Sequence, residues 1–312
     1  MKKMIVSALA ISMWTCGVAS ASVPAVCQNI RIAFVGGPDN QVQNAVFSTI
    51  AHDIGYHVSS NFYSEAILYA GMKNNQIDVF LDDWKPSMDN TTAPYIKSHA
   101  IDVIGPDLTG AKYTLAVPDY LYKQGLHSFG DIQRFGKQLG YKIYGIEPGT
   151  AANGKLLTMI KDNTFGLGKF HLVQSSETGM FSELSRKYNK KSDIVFLGWE
   201  PAPMNVQFHI RYLSGGHAYF GPDKGAATVF ANTRAGYAKA CPEIGRLLRN
   251  FKLSVTAENK MMYQLSVKHK SASVVAADWL QQNPGWISST LSGVTATDGK
   301  PAAAIVLSKS KA

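Results

Sequence analysis

The chain has 312 residues, of which 46% are hydrophobic and 17% charged, and a formal net charge of +9. That composition is too apolar and too weakly charged for a disordered chain, and it suffices for one large domain or two medium ones. The lysines are scattered, and no basic run interleaved with aromatics suggests nucleic acid as a partner.

Lys2 and Lys3 precede a largely apolar run, Met4 to Val18, and a small-x-small sequence, Ala19-Ser20-Ala21. This pattern predicts a secretory leader, residues 1–21, cut after Ala21. The run is shorter than the ~20 apolar residues of a membrane span, and no later segment has the length and apolarity of one. Cys16 departs with the leader, which leaves Cys27 and Cys241. An even count in an exported chain favours a disulfide between them; two unpaired buried thiols are the alternative.

The rest of the chain alternates strand-like and helix-like pieces. Ile30 to Val35 is an apolar run closed by Gly36-Gly37-Pro38, and Val46, Ile50 and Ile54 follow at helical spacing. Ser64 is placed to cap a helix carrying Ile67 and Met72. Ile77 to Leu81, Ile101 to Ile104 and Thr114 to Val117 read as strands. The pattern then restarts, with strands at Lys142 to Ile146, Phe170 to Val173, Asp193 to Leu197 and Ile210 to Leu213. Between them lie helices around Leu156 to Ile160 and Thr178 to Tyr188. Strands alternating with helices imply largely parallel sheets covered on both faces, and two such series imply two α/β lobes. Beyond Thr233 the chain turns helical, with an apolar stripe at Ile244, Leu247, Leu248 and Phe251, then Lys260 to Val267 and Ser273 to Gln281. From Thr295 the small, polar tail is expected to be flexible.

A Cys27–Cys241 bond would fold the C-terminal helices back onto the first lobe. The expected division is therefore 22–110 with 233–312 as lobe 1, and 111–232 as an inserted lobe 2 reached by two crossing strands, near Lys112 and near Asn232. A cleft between hinged lobes is a usual place for a ligand.

Catalytic signals are weak. The eight histidines show no HExxH spacing, and there is no CxxC pair, GxSxG elbow or Walker loop. Glu65, Glu147, Glu177 and Glu200 are acids without a spacing that selects a pair. Neither catalysis, a metal nor a cofactor is expected. The aromatics say more. Trp84 stands in Phe80-Leu-Asp-Asp-Trp-Lys-Pro86 and Trp199 in Phe196-Leu-Gly-Trp-Glu-Pro201. A single Trp of this kind packs under a loop as readily as it faces a ligand. The duplicated context favours a pair facing each other across the cleft, at the strand ends where α/β sheets bind ligands. Two ring faces around a closed space suit a cation. Tyr113 begins a crossing strand. Asp39, in the turn after the first strand, either supplies a compensating charge or caps the following helix.

Several segments carry a resemblance. Ile77 to Met88, Ala111 to Pro118, Gly145 to Gly149, Ser175 to Met180, Phe196 to Asn205 and Tyr212 to Cys241 resemble the choline and glycine-betaine substrate-binding proteins of ATP-binding-cassette importers, most closely the choline-binding branch. The likeness runs from about Ile30 to Gln264. It is most specific at Phe-Leu-Gly-Trp-x-Pro-x-Pro-Met-Asn and Gly-Ala-Thr-Val-Phe-Ala-Asn-Thr-Arg-Ala-Gly-Tyr. It implies a type II periplasmic-binding-protein fold, with two α/β lobes, two interlobe crossovers and one cleft. It also implies an aromatic box of Trp84, Tyr113 and Trp199, Asp39 as the anion, and a disulfide at Cys27 and Cys241. Two positions depart from the pattern. Gly37 stands where the family carries a box Trp, a gap that Phe34, Phe62 or Tyr63 could refill, and Thr150 stands where the family usually has an Asn after Gly-Ile-Glu-Pro-Gly. The implied protein is a monomeric periplasmic binding protein that hands a small cationic or quaternary amine of choline, betaine or carnitine type to an inner-membrane ABC permease. A histidine-like or other cationic amine is the alternative ligand. A periplasmic enzyme or a sensor on the same fold is the alternative function.

Overall fold

The computed structural model describes residues 23–311. The expected leader, with Cys16, lies outside the described residues. Ten strands join in one continuous sheet, and two of them connect its halves.

The first half begins with β1 (Asn29–Phe34), followed by α1 (Pro38–Asp53), β2 (His57–Phe62), α2 (Glu65–Lys73) and β3 (Val79–Lys85). Both β2 and β3 run parallel to β1. Strand β2 was not expected, because His-Val-Ser-Ser-Asn-Phe has no apolar alternation; it forms as a largely exposed sheet edge, held by backbone bonding to β1.

The connector β4 (Ile101–Pro118) is 18 residues long, about 60 Å of extended chain. It unites two stretches that the sequence pattern separates. Its first part pairs with a later strand, β9, and its last part with β7 and β8. The second half comprises β5 (Lys142–Tyr144), α3 (Ala151–Lys161), β6 (His171–Val173), α4 (Glu177–Asn189), β7 (Phe196–Glu200) and β8 (Ile210–Tyr212). Strands β6 and β7 run parallel to β5. The return connector β9 (Ala226–Arg234) lies antiparallel between β3 and β4. The molecule is thus two-lobed, with two strands crossing between parallel sheets.

The C-terminal part is α5 (Pro242–Asn250), β10 (Leu253–Ser254), α6 (Val255–Ser266), α7 (Ala272–Gln282) and α8 (Pro284–Thr290). Helices α6 and α7 pack on α1, so this part covers the first half of the sheet. Cys27, before β1, is disulfide-bonded to Cys241, at the start of α5, with their Cα atoms 5.5 Å apart.

The tail corrects the expectation of flexibility. Residues Ala302–Lys309 form α9, which buries Ala302 and Val306 and packs on α1 and α8. Lys309 reaches back to the carboxylate of Asp53 at 3.0 Å. Small alanines let this helix lie close on its neighbours, so it needs only a few large apolar residues to dock. Among the described residues no helix is long and apolar enough to cross a membrane.

Candidate functional site

Both tryptophans are the penultimate residues of their strands rather than lying beyond them. Trp84 is in β3, opposite Val229 of β9, and Trp199 is in β7, opposite Tyr113 of β4. Pairing with the two connectors keeps these segments extended, which moves both indoles to where the lobes meet. The Tyr113 ring lies between them, 5.5 Å from Trp84 at 60° and 6.0 Å from Trp199 at 79°. Phe181 of α4 stacks on Trp199 at 5.3 Å and fixes its plane. The loop side of β7 is held by Asn205, which donates to the Trp199 carbonyl at 2.7 Å and accepts from the Tyr212 hydroxyl at 2.7 Å.

These three rings line one cavity, together with Asp39 and Thr150. The five ligand-site residues expected from sequence therefore converge, although they come from five separate segments. The cavity has about 80 Å³ of room for the centres of water-sized spheres, enough for several waters or one small molecule. Phe62, at the end of β2, also lines it, and its ring meets Phe34 edge-on at 6.1 Å. Gly37 does not line it. Its φ is +78°, and a Cβ built there would lie 2.5 Å from Oδ1 of Asp39 and 2.8 Å from Oε2 of Glu177. Two carboxylates, rather than open space, occupy the neighbourhood of this glycine.

The sequence reading missed how acidic the wall is. Glu65, Asp82, Glu147 and Glu177 line the cavity beside Asp39, whereas no lysine or arginine among the described residues does. Glu200, the fourth glutamate considered, lies elsewhere and pairs with Lys112 at 3.4 Å. Asp39 is 4% exposed and sits in the first turn of α1, after Pro38; the residue at the cap position is Gly37. Burial raises the Asp39 carboxyl to about 6, with Glu147 adding to the effect. Burial likewise raises Glu65 to about 7. Asp82 is pushed well up by burial and then by Asp39, and Glu177 by burial and then by Asp39 and Glu147. Burial also pushes the Tyr113 hydroxyl well up, so that ring stays neutral.

Several hydrogen bonds hold the carboxylates in place. Asp82 accepts from Nε1 of Trp84 at 2.6 Å, a pair that strand alternation puts on one face of β3. Glu147 accepts from the Glu177 backbone at 3.0 Å. Asn153 grips the Ile146–Glu147 loop, accepting from the Ile146 N–H and donating to both carbonyls. Across the cleft, Glu65 accepts from the Ala151 N–H at 2.7 Å, at the N-terminus of α3. Three polar atoms of lining residues are buried without a partner: Oγ1 of Thr150, Oε2 of Glu177 and Nε1 of Trp199. Buried polar atoms are ordinarily paired, so these are points where a ligand would bond. Among the described residues no group of three or more His, Cys, Asp or Glu side chains is arranged to hold a metal.

Comparison with known proteins agrees with this geometry. The family model for the substrate-binding domain of ABC-type glycine betaine transport systems matches residues 28–282. A solved ABC-transporter choline-binding protein in complex with choline is 39% identical, with a TM-score of 0.90, covering 92% of this chain and 99% of that one. An unliganded, semi-closed structure of an ABC-transporter choline-binding protein, also 39% identical, gives a TM-score of 0.83 over the same shares. The fold extends to a lactococcal glycine-betaine complex at 23% identity and a TM-score of 0.76, covering 84% of this chain and 99% of that one. A glycine betaine/carnitine transport binding protein of Listeria monocytogenes is 28% identical over 165 residues, 53% of each chain. With the family model matched over most of its length and the cleft built as described, the chain belongs to the substrate-binding domains of ABC-type glycine betaine transport systems.

Proposed function

We propose that this protein binds a small organic cation of the choline type between its lobes and delivers it to an ABC permease. The carrying observation is the make-up of one cavity wall: four aromatic rings, those of Trp84, Tyr113, Trp199 and Phe62, and five carboxylates, with no lysine or arginine among the described residues. Ring faces attract a cation most when water is excluded, at up to about 2 kcal/mol each. The carboxylates supply the opposite charge. A betaine or carnitine would bring its own carboxylate into this acidic space with no cationic side chain to meet it, at a cost of repulsion and desolvation. The proposed ligand therefore lacks a carboxylate. Trp84, Tyr113 and Trp199 would hold its alkylated nitrogen, Asp39 would supply charge, and Thr150 would offer its unpartnered hydroxyl.

The proposed lobe division follows the two connectors, with residues up to 110 joined by those from 233 in one lobe and 111–232 in the other. Closure of one lobe on the other would give the permease a ligand-dependent shape to read. Export to the periplasm, action as a monomer and the absence of catalysis complete the proposal; the family's role in ligand binding for transport supports it.

Isothermal titration calorimetry with choline, glycine betaine and carnitine tests this reading. Choline is expected to bind at least about tenfold more tightly than either zwitterion, a gap of about 1.4 kcal/mol. Equal or tighter binding of the zwitterions would overturn it.

A further inference from the structure

The cavity adjoins an outer groove, and Glu147 and Glu177 line both. Gly36, Gly37 and Pro38 form part of the groove's wall, as do Phe34 and Phe181, whose rings meet those of Phe62 and Trp199 in the cavity; the two glutamates are the side chains common to both spaces. Arg186, a cation lining the groove, is already held by Glu183 at 2.7 Å.

The acids around the cavity differ in what satisfies them. Asp82 accepts from Trp84, Glu65 from Ala151, and Glu147 from the Glu177 backbone. Oε2 of Glu177 is buried and accepts nothing. Trp199, only 3% exposed, leaves its Nε1 unpartnered at the same cavity. A quaternary ammonium has no N–H, so it can neutralise a carboxylate at a distance but cannot satisfy it.

We infer that the ligand is a short dication, with one alkylated nitrogen against the three rings and a second, N–H-bearing ammonium held by Glu147 and Glu177 at the opening toward the groove. This inference rests on the cation-binding reading above and adds a second cation subsite to it. A protonated amine brings up to three donors, and a charge-assisted bond to a buried carboxylate is among the stronger polar contacts.

Two probes of matched length separate the ideas. Both are trimethylammonium ions with a three-carbon arm, one ending in a primary amine and the other in a hydroxyl. Calorimetry on the full mature protein at neutral pH is expected to show the amine binding at least about tenfold tighter. Glu177→Gln is expected to remove most of that advantage, and Trp199→Ala to weaken both probes. Equal affinities for the two probes, both weakened by Trp199→Ala, would overturn the second subsite and leave the ring box standing. An advantage that survives Glu177→Gln would also overturn it. Binding of neither probe would overturn both readings together.

Discussion

Glu65 accepts a hydrogen bond from the backbone N–H of Ala151 across the cleft, at 2.7 Å. One residue opens α2 on the first side and the other opens α3 on the second. A carboxylate at a helix N-terminus gains from the exposed N–H groups and from the helix dipole. A second contact spans the same cleft: Nζ of Lys155 on α3 donates to the Pro86 carbonyl at 2.9 Å, just beyond β3. We propose that these two bridging contacts latch the two sides of the cleft together.

The latch at Lys155 gives a prediction with an unusual sign. Lys155 is not in the cavity wall. Removing a positive charge near a cation site should, on Coulomb grounds alone, strengthen cation binding. The latch predicts the reverse. Lys155→Met should weaken choline binding by about 1–3 kcal/mol, mainly through a faster off-rate, because hydrogen bonds to a charged donor have about that strength. Stopped-flow tryptophan fluorescence reads both rates. Tighter binding in Lys155→Met would rule the latch out.

Binding should also depend on pH. The cavity groups are Asp39, raised to about 6, Glu65, raised to about 7, Asp82 and Glu177, both pushed well up by burial, together with Glu147 and the neutral Tyr113. A cation prefers the ionised carboxylates, so affinity should rise as pH climbs from about 5 to about 8. For the empty protein the sign is opposite. Raised carboxyl groups contribute stability below their unfolded values near pH 4, and that stability is lost as pH rises through about 6 to 7. The melting temperature without ligand should therefore fall over that window, while the shift produced by choline grows. A choline-induced shift that is constant from pH 5 to pH 8 would contradict this.

The disulfide predicts a change in stability without a change in ligand choice. Cys27 and Cys241 are 214 residues apart in sequence and do not line the cavity. Replacing both by Ser should cost about 2–5 kcal/mol of unfolding free energy, since the bond limits the unfolded chain. Choline affinity should stay within about twofold, a difference of about 0.4 kcal/mol. Denaturant titration and calorimetry on the same preparation check both halves, and a large affinity loss would show that the first lobe needs the bond to shape its wall.

Much of the fold was legible because apolar runs and turn residues alternate plainly from Ile30 to Leu213. The strands that escaped notice had other determinants. Strand β2 is an exposed edge whose residues bury little, and its formation depends on a neighbour, β1, that pattern analysis does not see. Helix α9 is built from small residues whose burial depends on α1 and α8. At the site, the repeated Phe-Leu…Trp…Pro context marked both indoles. Asp82 was within reach of the same argument, because it lies two residues before Trp84 on one strand face. Glu65, Glu147 and Glu177 were visible as acids but not as a group. They come from α2, the loop after β5, and α4: Glu147 and Glu177 meet within the second half, and Glu65 joins them only where the first half approaches it.

The central claim is that a cation sits among Trp84, Tyr113 and Trp199. A crystal structure of the protein grown with choline tests it most directly. The account predicts trimethylammonium density within about 6 Å of all three ring centroids, with Asp39 as the nearest first-lobe carboxylate. Choline density outside this cavity, or a closed protein in which water fills the space between the rings while choline lies in the outer groove, would contradict it.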